Sequence, residues 1–360
     1  MGDSGQADLE RVGAYISSVF IFGWMFGGFA FGFLCDRVGR KKSVILSTAC
    51  LGLFTLLTAV APGWMWIIAC RFFSGFGVGG VLVTTAIIIS ETWNEKNKAI
   101  ALGILSIAFP IGIFSSGLID YFIITWRQAF YVGLIPVLLA FLSVGLLREP
   151  ESAVQVRNEK SKGLLFAKEI RRNLLVGCLV FGTMLIGLWA VMSWLPTWIH
   201  SLTGGSDTHK ERGISMMLFA AGGLTGGLGS GWISNAIGVR KTMMICFAGC
   251  FIFSFLLFKL QTTITIFTYA EIVCIALFIG ISQGALNVYI PELFPSGVRG
   301  TATGFCFNIG RLFTALAVFF VGTMVNFAGG YGNAIFLFSF IFLAGFILMG
   351  WTKENKFSTT

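Results

Sequence analysis

Three charged side chains interrupt long apolar stretches of this sequence, where a charge is costly and usually serves a function. They are Arg71, Glu271 and Arg311. Asn308 precedes Arg311 by three positions, so in a helix the two side chains would lie on one face. A planar guanidinium with an amide beside it could bind a carboxylate through paired hydrogen bonds. The alternative is that Arg311 anchors its helix to neighbouring carbonyl groups.

Glu271 lies deep in an apolar run, at nearly the position in the second half of the chain that Arg71 has in the first. In low-dielectric surroundings a carboxyl group can take up a proton near neutral pH, as proton coupling requires. A fixed ion pair, with Arg71 as a candidate partner, is left equally open. We predict Glu271 and Arg71 as proton-coupling residues.

Amide and indole side chains lie in two further apolar runs. Gln283 and Asn287 are four positions apart, so their amides would point into one space and suit hydroxyl-bearing molecules. Polar contacts between helices are the alternative. Trp189 and Trp194 lie deep enough to line a cavity, whereas Trp198 is predicted at the membrane interface. The predicted substrate-binding residues are Arg311, Asn308, Gln283, Asn287, Trp189 and Trp194.

The elements that must position these residues are membrane helices. A chain that is 56% hydrophobic and only 11% charged would expose apolar surface everywhere as a soluble domain. Its apolar runs have roughly the 20 residues that cross a bilayer as a helix. We predict an all-α polytopic membrane protein with helices near Gly13–Leu34, Ser43–Ala61, Trp64–Ser90, Ala99–Ile119, Phe130–Leu147, Leu174–Ile199, Ile214–Ile237, Thr242–Phe258, Thr262–Ile290, Thr301–Val325 and Tyr331–Trp351.

The basic residues indicate which way these helices are oriented. The net charge is +9, but most Lys and Arg fall in loops on one side of the predicted membrane, which is typical of cytoplasmic loops and does not indicate nucleic-acid binding. The loop at Arg37 to Lys42 is therefore placed inside. We predict an outside N-terminus and a cytoplasmic C-terminus in a bacterial inner, plasma membrane.

The sequence contains an internal repeat. Gly32, Asp36 and Gly39 recur about 200 positions later as Gly231, Asn235 and Gly238. The polar stretch between the two copies is a predicted cytoplasmic linker. We therefore predict an N-terminal bundle of five helices over 1–147, the linker over 148–173 and a C-terminal bundle of six helices over 174–360.

Several stretches resemble one transporter family. The pattern Gly32-x-x-x-Asp36-Arg37-x-Gly39-Arg40-Lys41 resembles the loop signature of the major facilitator superfamily. Arg71-x-x-x-Gly75-x-Gly77-x-Gly79 is similar to a helix pattern of its sugar and metabolite branches. The stretches from Pro291 to Pro295 and from Gly304 to Arg311 are similar to metabolite:proton symporters, including sialic acid and monocarboxylate carriers.

The resemblance implies a secondary active transporter, in which two pseudo-symmetric six-helix bundles alternate access to a central site. The expected substrate is a sugar-like or carboxylate metabolite, and the expected coupling is proton symport. It also implies twelve helices with the loop signature after the second, so that 11 of 12 are present and the first is missing. That helix commonly supplies an acid for the Arg71 position. An internal start in a longer protein is the favoured explanation.

Charges at the predicted inner helix ends could form a gate. Ion pairs there can hold the two bundles together in one state and separate in the other. The alternative is that these charges only set the orientation of the helices. The predicted cytoplasmic gate comprises Gly32, Asp36, Arg37, Gly39, Arg40, Lys41, Glu91, Glu292 and Arg299.

Other functional classes find little support in the sequence. Gly75, Gly77 and Gly80 have dinucleotide-binding spacing, but no strand precedes them. We expect no cofactor, no metal site and no enzymatic activity, and partners limited to a small-molecule substrate, protons and the lipid bilayer. A monomer is expected. The alternative functions are a non-transporting membrane receptor and an inactive truncated transporter.

Overall fold

The structure, a computed structural model, describes residues 3–92, 95–123, 125–147, 168–203, 208–294 and 299–352. Within these ranges the regular elements are helices and no strand occurs. A 3₁₀ turn spans Phe130–Gly133, and a π turn spans Leu256–Leu260. The helices are α1 (Asp3–Val38), α2 (Arg40–Ala59), α3 (Trp64–Thr92), α4 (Glu95–Phe122), α5 (Trp126–Ala129), α6 (Leu134–Leu146), α7 (Lys168–Leu202), α8 (His209–Ile237), α9 (Val239–Phe255), α10 (Ile266–Glu292), α11 (Arg299–Ala328) and α12 (Tyr331–Trp351).

Each predicted apolar run coincides with a helix. Among the described residues, nine helical segments are long and apolar enough to cross a membrane. In α4 the apolar segment is the shorter Ile107–Phe122, and α8 is diluted by glycine, serine and asparagine. Helices satisfy their own backbone hydrogen bonds, which a bilayer core requires. The predicted all-α polytopic membrane fold is confirmed.

The helices group into two compact units. The first comprises Met1–Glu10, Phe109–Ile124 and Lys160–Thr360, and the second comprises Arg11–Ala108 and Thr125–Glu159. The bundle limits 1–147 and 174–360 stay a prediction. So does the linker 148–173, of which residues 148–167 lie outside the described residues.

Glycines bring α1 and α3 into backbone contact in the second unit. A Cβ at Gly23 would meet the carbonyl oxygen of Phe72, and one at Gly27 would meet that of Phe76. From the other side, a Cβ at Gly79 would meet the carbonyl oxygen of Trp24. The two helices therefore touch where no side chain larger than hydrogen fits.

The same crossing recurs between α8 and α10 in the first unit. Here Gly222 and Gly226 face the carbonyl oxygens of Val273 and Leu277, and Gly280 faces that of Gly223. These positions correspond to the ones in α1 and α3 at the spacing of the sequence repeat. The internal repeat is thus present in the contacts between helices as well as in the sequence.

The loop glycines of the repeat share one conformation. Gly39 has φ 105° before α2, and Gly238 has φ 86° before α9, a region that side chains other than hydrogen rarely adopt. The hydroxyl of Ser43 donates to the Gly39 carbonyl at 2.8 Å, and the hydroxyl of Thr242 donates to the Gly238 carbonyl at 2.9 Å. The recurring glycine is therefore required by the turn itself.

The crossing of α8 and α10 predicts a large difference between two glycines of one helix. Gly226→Ala would drive a methyl group into the Leu277 backbone, and we expect overpacking to cost about 1–3 kcal/mol and lower the Tm by several degrees. Gly231→Ala is the matched control, because nothing lies within 4 Å of its added Cβ. Thermal unfolding of both variants in detergent checks this. Equal Tm values would contradict the close crossing.

Candidate functional site

Asn308 and Arg311 form a polar pair on α11. The Asn308 side chain is 8% exposed, and its amide nitrogen donates to the Gly304 carbonyl at 2.9 Å. Its oxygen accepts a hydrogen bond from Arg311 Nη1 at 3.4 Å. Because the first bond orients the amide, Asn308 presents a fixed acceptor to the guanidinium. The predicted pairing of these residues on one helix face is present in the structure.

Glu271 lies in the first turns of α10. This helix is capped by Thr265, whose hydroxyl accepts a hydrogen bond from the Thr268 backbone at 3.3 Å. Gln261, just before the helix, donates from Nε2 to Glu271 Oε1 at 3.1 Å. The other carboxyl oxygen, Oε2, is buried and has no hydrogen-bond partner among the described residues. Gln261 thus holds Oε1 in place, and Oε2 is available for a further hydrogen bond.

The predicted amides and indoles differ in their surroundings. Gln283 Nε2 is buried without a hydrogen-bond partner in the described part of the chain, whereas Asn287 is exposed. Trp189 and Trp194 are 9% and 6% exposed, and the Trp194 ring nitrogen also has no partner within the described ranges. Trp198 is only 2% exposed and packs edge-on against Phe258. The prediction that Trp198 lies at the membrane interface is therefore wrong, since its ring is inside the protein.

These side chains belong to helices that contact one another. In the first unit α7, α10 and α11 pack together. Helix α7 carries Trp189 and Trp194, and α11 carries the Asn308–Arg311 pair. Helix α10 carries Glu271, Gln283 and Asn287. The described contacts join Asn308 directly to Arg311. The remaining predicted residues share these helices.

Arg71 on α3 belongs to the second unit. Its Cζ lies 4.6 Å from the centroid of the Phe20 ring and 5.6 Å from that of Phe130. A desolvated cation–π contact contributes about 2 kcal/mol, so the two rings can hold a cation within the membrane. Neither phenylalanine is indicated by the sequence, because only the packing of α1 and the 3₁₀ turn on α3 brings their rings to Arg71. An ion pair with Glu271 stays a prediction.

Comparison with known proteins identifies the family. The model of the Major Facilitator Superfamily matches residues 6–318 of this chain. The chain belongs to the major facilitator superfamily. It is therefore a transporter and an integral multi-pass membrane protein with a small-molecule substrate, as the sequence resemblance implied.

Individual relatives match over most of the chain. The cis,cis-muconate transport protein of Acinetobacter baylyi is 27% identical over 349 residues, which cover 93% of this chain and 81% of that protein. The sialic acid transporter NanX of Escherichia coli is 26% identical over 362 residues, which cover 96% and 85%. The solved xylose transporter XylE from E. coli superimposes with a TM-score of 0.79 at 15% identity, covering 99% of this chain and 89% of that one. The last comparison shows the fold alone.

The superfamily loop signature is built around Arg40. This side chain is 5% exposed, and Nη1 donates to the Cys35 carbonyl at 3.0 Å, where a cation suits the carboxyl end of α1. Arg37 is exposed and lies 4.1 Å from the Phe33 ring centroid. In the predicted gate, Gly32, Lys41 and Glu292 are described and partly buried.

Three members of the predicted gate cannot be placed. The side chains of Asp36, Glu91 and Arg299 lie outside the described residues. The cytoplasmic gate therefore stays a prediction.

Proposed function

We propose that this transporter carries a small organic carboxylate together with a proton by alternating access. The single observation that carries the proposal is the Asn308–Arg311 pair on α11, a guanidinium oriented by a buried amide. Such a group binds a carboxylate through hydrogen bonds and charge together. The donors of Gln283 and Trp194, which have no partner among the described residues, would add neutral hydrogen bonds on the neighbouring helices.

Glu271 supports the proton step. Its Oε1 is held by Gln261, while the buried Oε2 offers a place for a proton. A proton on this oxygen would leave the side chain neutral and able to donate a hydrogen bond. A monocarboxylate and one proton would then cross together without net charge, and a dicarboxylate such as muconate would cross with one negative charge. Arg71, held between its two rings, is proposed as the second coupling residue.

The relatives favour acids over sugars as the substrate. Muconate, sialic acid and niacin, which give three of the relatives their names, are all carboxylates at neutral pH. The second candidate is a sugar-like metabolite, favoured by the amides of Gln283 and Asn287. We further propose a monomer in a bacterial inner membrane with its C-terminus in the cytoplasm.

Uptake into liposomes tests the proposal. We expect cis,cis-muconate, sialic acid or niacin to accumulate only when the interior is more alkaline, and D-xylose not to accumulate. Protein-free liposomes correct for passive entry of neutral acids. Accumulation of xylose alone would favour the sugar candidate, and binding without uptake of any compound would favour a receptor.

A further inference from the structure

Asp120, His209 and Arg212 form a polar cluster that neither the predicted gate nor the predicted substrate site includes. Asp120 lies at the end of α4, and the other two open α8. Arg212 Nη2 donates to Asp120 Oδ1 at 3.0 Å and to His209 Nδ1 at 2.8 Å. His209 Nδ1 lies 3.4 Å from Asp120 Oδ1. The hydrogen bond between Arg212 and Asp120 thus joins residues that are 92 positions apart in the chain.

Next to this cluster, α4 and α8 contact each other through their backbones. A Cβ at Gly117 would lie 2.8 Å from the Gly213 carbonyl oxygen, and one at Gly213 would lie 2.7 Å from that of Gly117. Met217 completes the contact, since its backbone nitrogen lies 2.9 Å from the Cβ position at Gly117. No space for water or solute remains between α4 and α8 at this point.

We propose that Asp120 and Arg212 form a latch that closes the outward-facing side of the transporter. This inference rests on the proposed alternating access, and on the prediction that these ends of α4 and α8 face outward. A solute entering between the two helices must separate the Gly117–Gly213 contact and break the ion pair above it. Access from outside is therefore controlled at this pair.

The Asp120–Arg212 ion pair is weak enough to open and close reversibly. The side chains of Asp120 and Arg212 are 32% and 24% exposed, so solvent weakens their attraction compared with a buried pair. His209 lies on the same helix as Arg212 and three positions before it. It can therefore keep the guanidinium oriented after Asp120 has moved away, which makes reclosing efficient.

Thiol labelling from outside tests the latch without any substrate. In a Met217→Cys variant, the rate of modification by a membrane-impermeant maleimide reports opening of the contact, with the parent chain giving the background of its native cysteines. We expect Asp120→Asn to raise this rate about fivefold, and Arg212→Gln to raise it equally. Exchanging the two residues, Asp120→Arg with Arg212→Asp, should restore the slow rate. Glu211→Gln is the matched control, because it neutralises an acid in the same turn outside the pair.

The outcomes separate this inference from the proposed function. Labelling after denaturation normalises for the total amount of protein. An unchanged rate in both single variants, or an exchange that labels as fast as Asp120→Asn, would overturn the latch while leaving carboxylate uptake intact. Faster labelling with no uptake of any acid would support the latch and overturn the carboxylate proposal.

Discussion

Arg311→Gln is expected to weaken carboxylate binding about 10- to 100-fold, because a hydrogen bond to a charged group contributes roughly 1.5–3 kcal/mol. The amide keeps a polar side chain beside Asn308 but removes both the charge and the planar fork. Binding of sialic acid or cis,cis-muconate to the purified protein, measured by calorimetry, checks this. A neutral sugar would not show the same loss.

Two further variants show whether the weaker binding of Arg311→Gln comes from loss of the charge and planar fork of Arg311. Arg311→Lys keeps the charge without the fork and should bind with intermediate affinity. Arg127→Gln is the matched control, because Arg127 is exposed and donates to the Ala61 carbonyl at 3.3 Å in the second unit. If Arg311→Gln binds the acid as tightly as the parent does, Arg311 is an anchor for its helix and the carboxylate proposal fails.

Glu271→Gln is expected to abolish proton-driven accumulation while leaving exchange of substrate across the membrane. With one proton per substrate anion, a pH gradient of one unit supports accumulation of up to about tenfold. An amide cannot release a proton, so the ratio should fall to about one. The oxygen of the new amide can still accept from Gln261, which preserves the local fold. Uptake and counterflow in liposomes measure the two activities separately.

The coupling role has its own controls. Glu271→Asp keeps an ionisable group and should retain part of the accumulation. Gln261→Ala removes the hydrogen bond to Oε1 but leaves the acid, so it should change the rate more than the final ratio. Full accumulation in Glu271→Gln would show that the proton is carried elsewhere.

Sequence patterns predicted local features well because these depend on neighbours along the chain. The helices follow from apolar runs of bilayer length, and the proximity of Asn308 to Arg311 follows from their spacing on one helix. The recurrence of Gly39 as Gly238 is visible in the sequence, whereas the positive φ that requires glycine there is a feature of the structure. The burial of Trp198 could not be predicted this way, because an interfacial tryptophan and a buried one can occupy the same place in an apolar run.

By itself, the sequence determined that the chain forms membrane helices, contains two related halves and carries Arg71, Glu271 and Arg311 in apolar surroundings. Only the tertiary structure decided what those charges meet. The rings around Arg71 and the pairing of Asp120 with Arg212 depend on how helices distant in the chain rotate and slide against each other. That register is set by glycine contacts such as Gly117 with Gly213, whose partners no periodicity within one helix can specify.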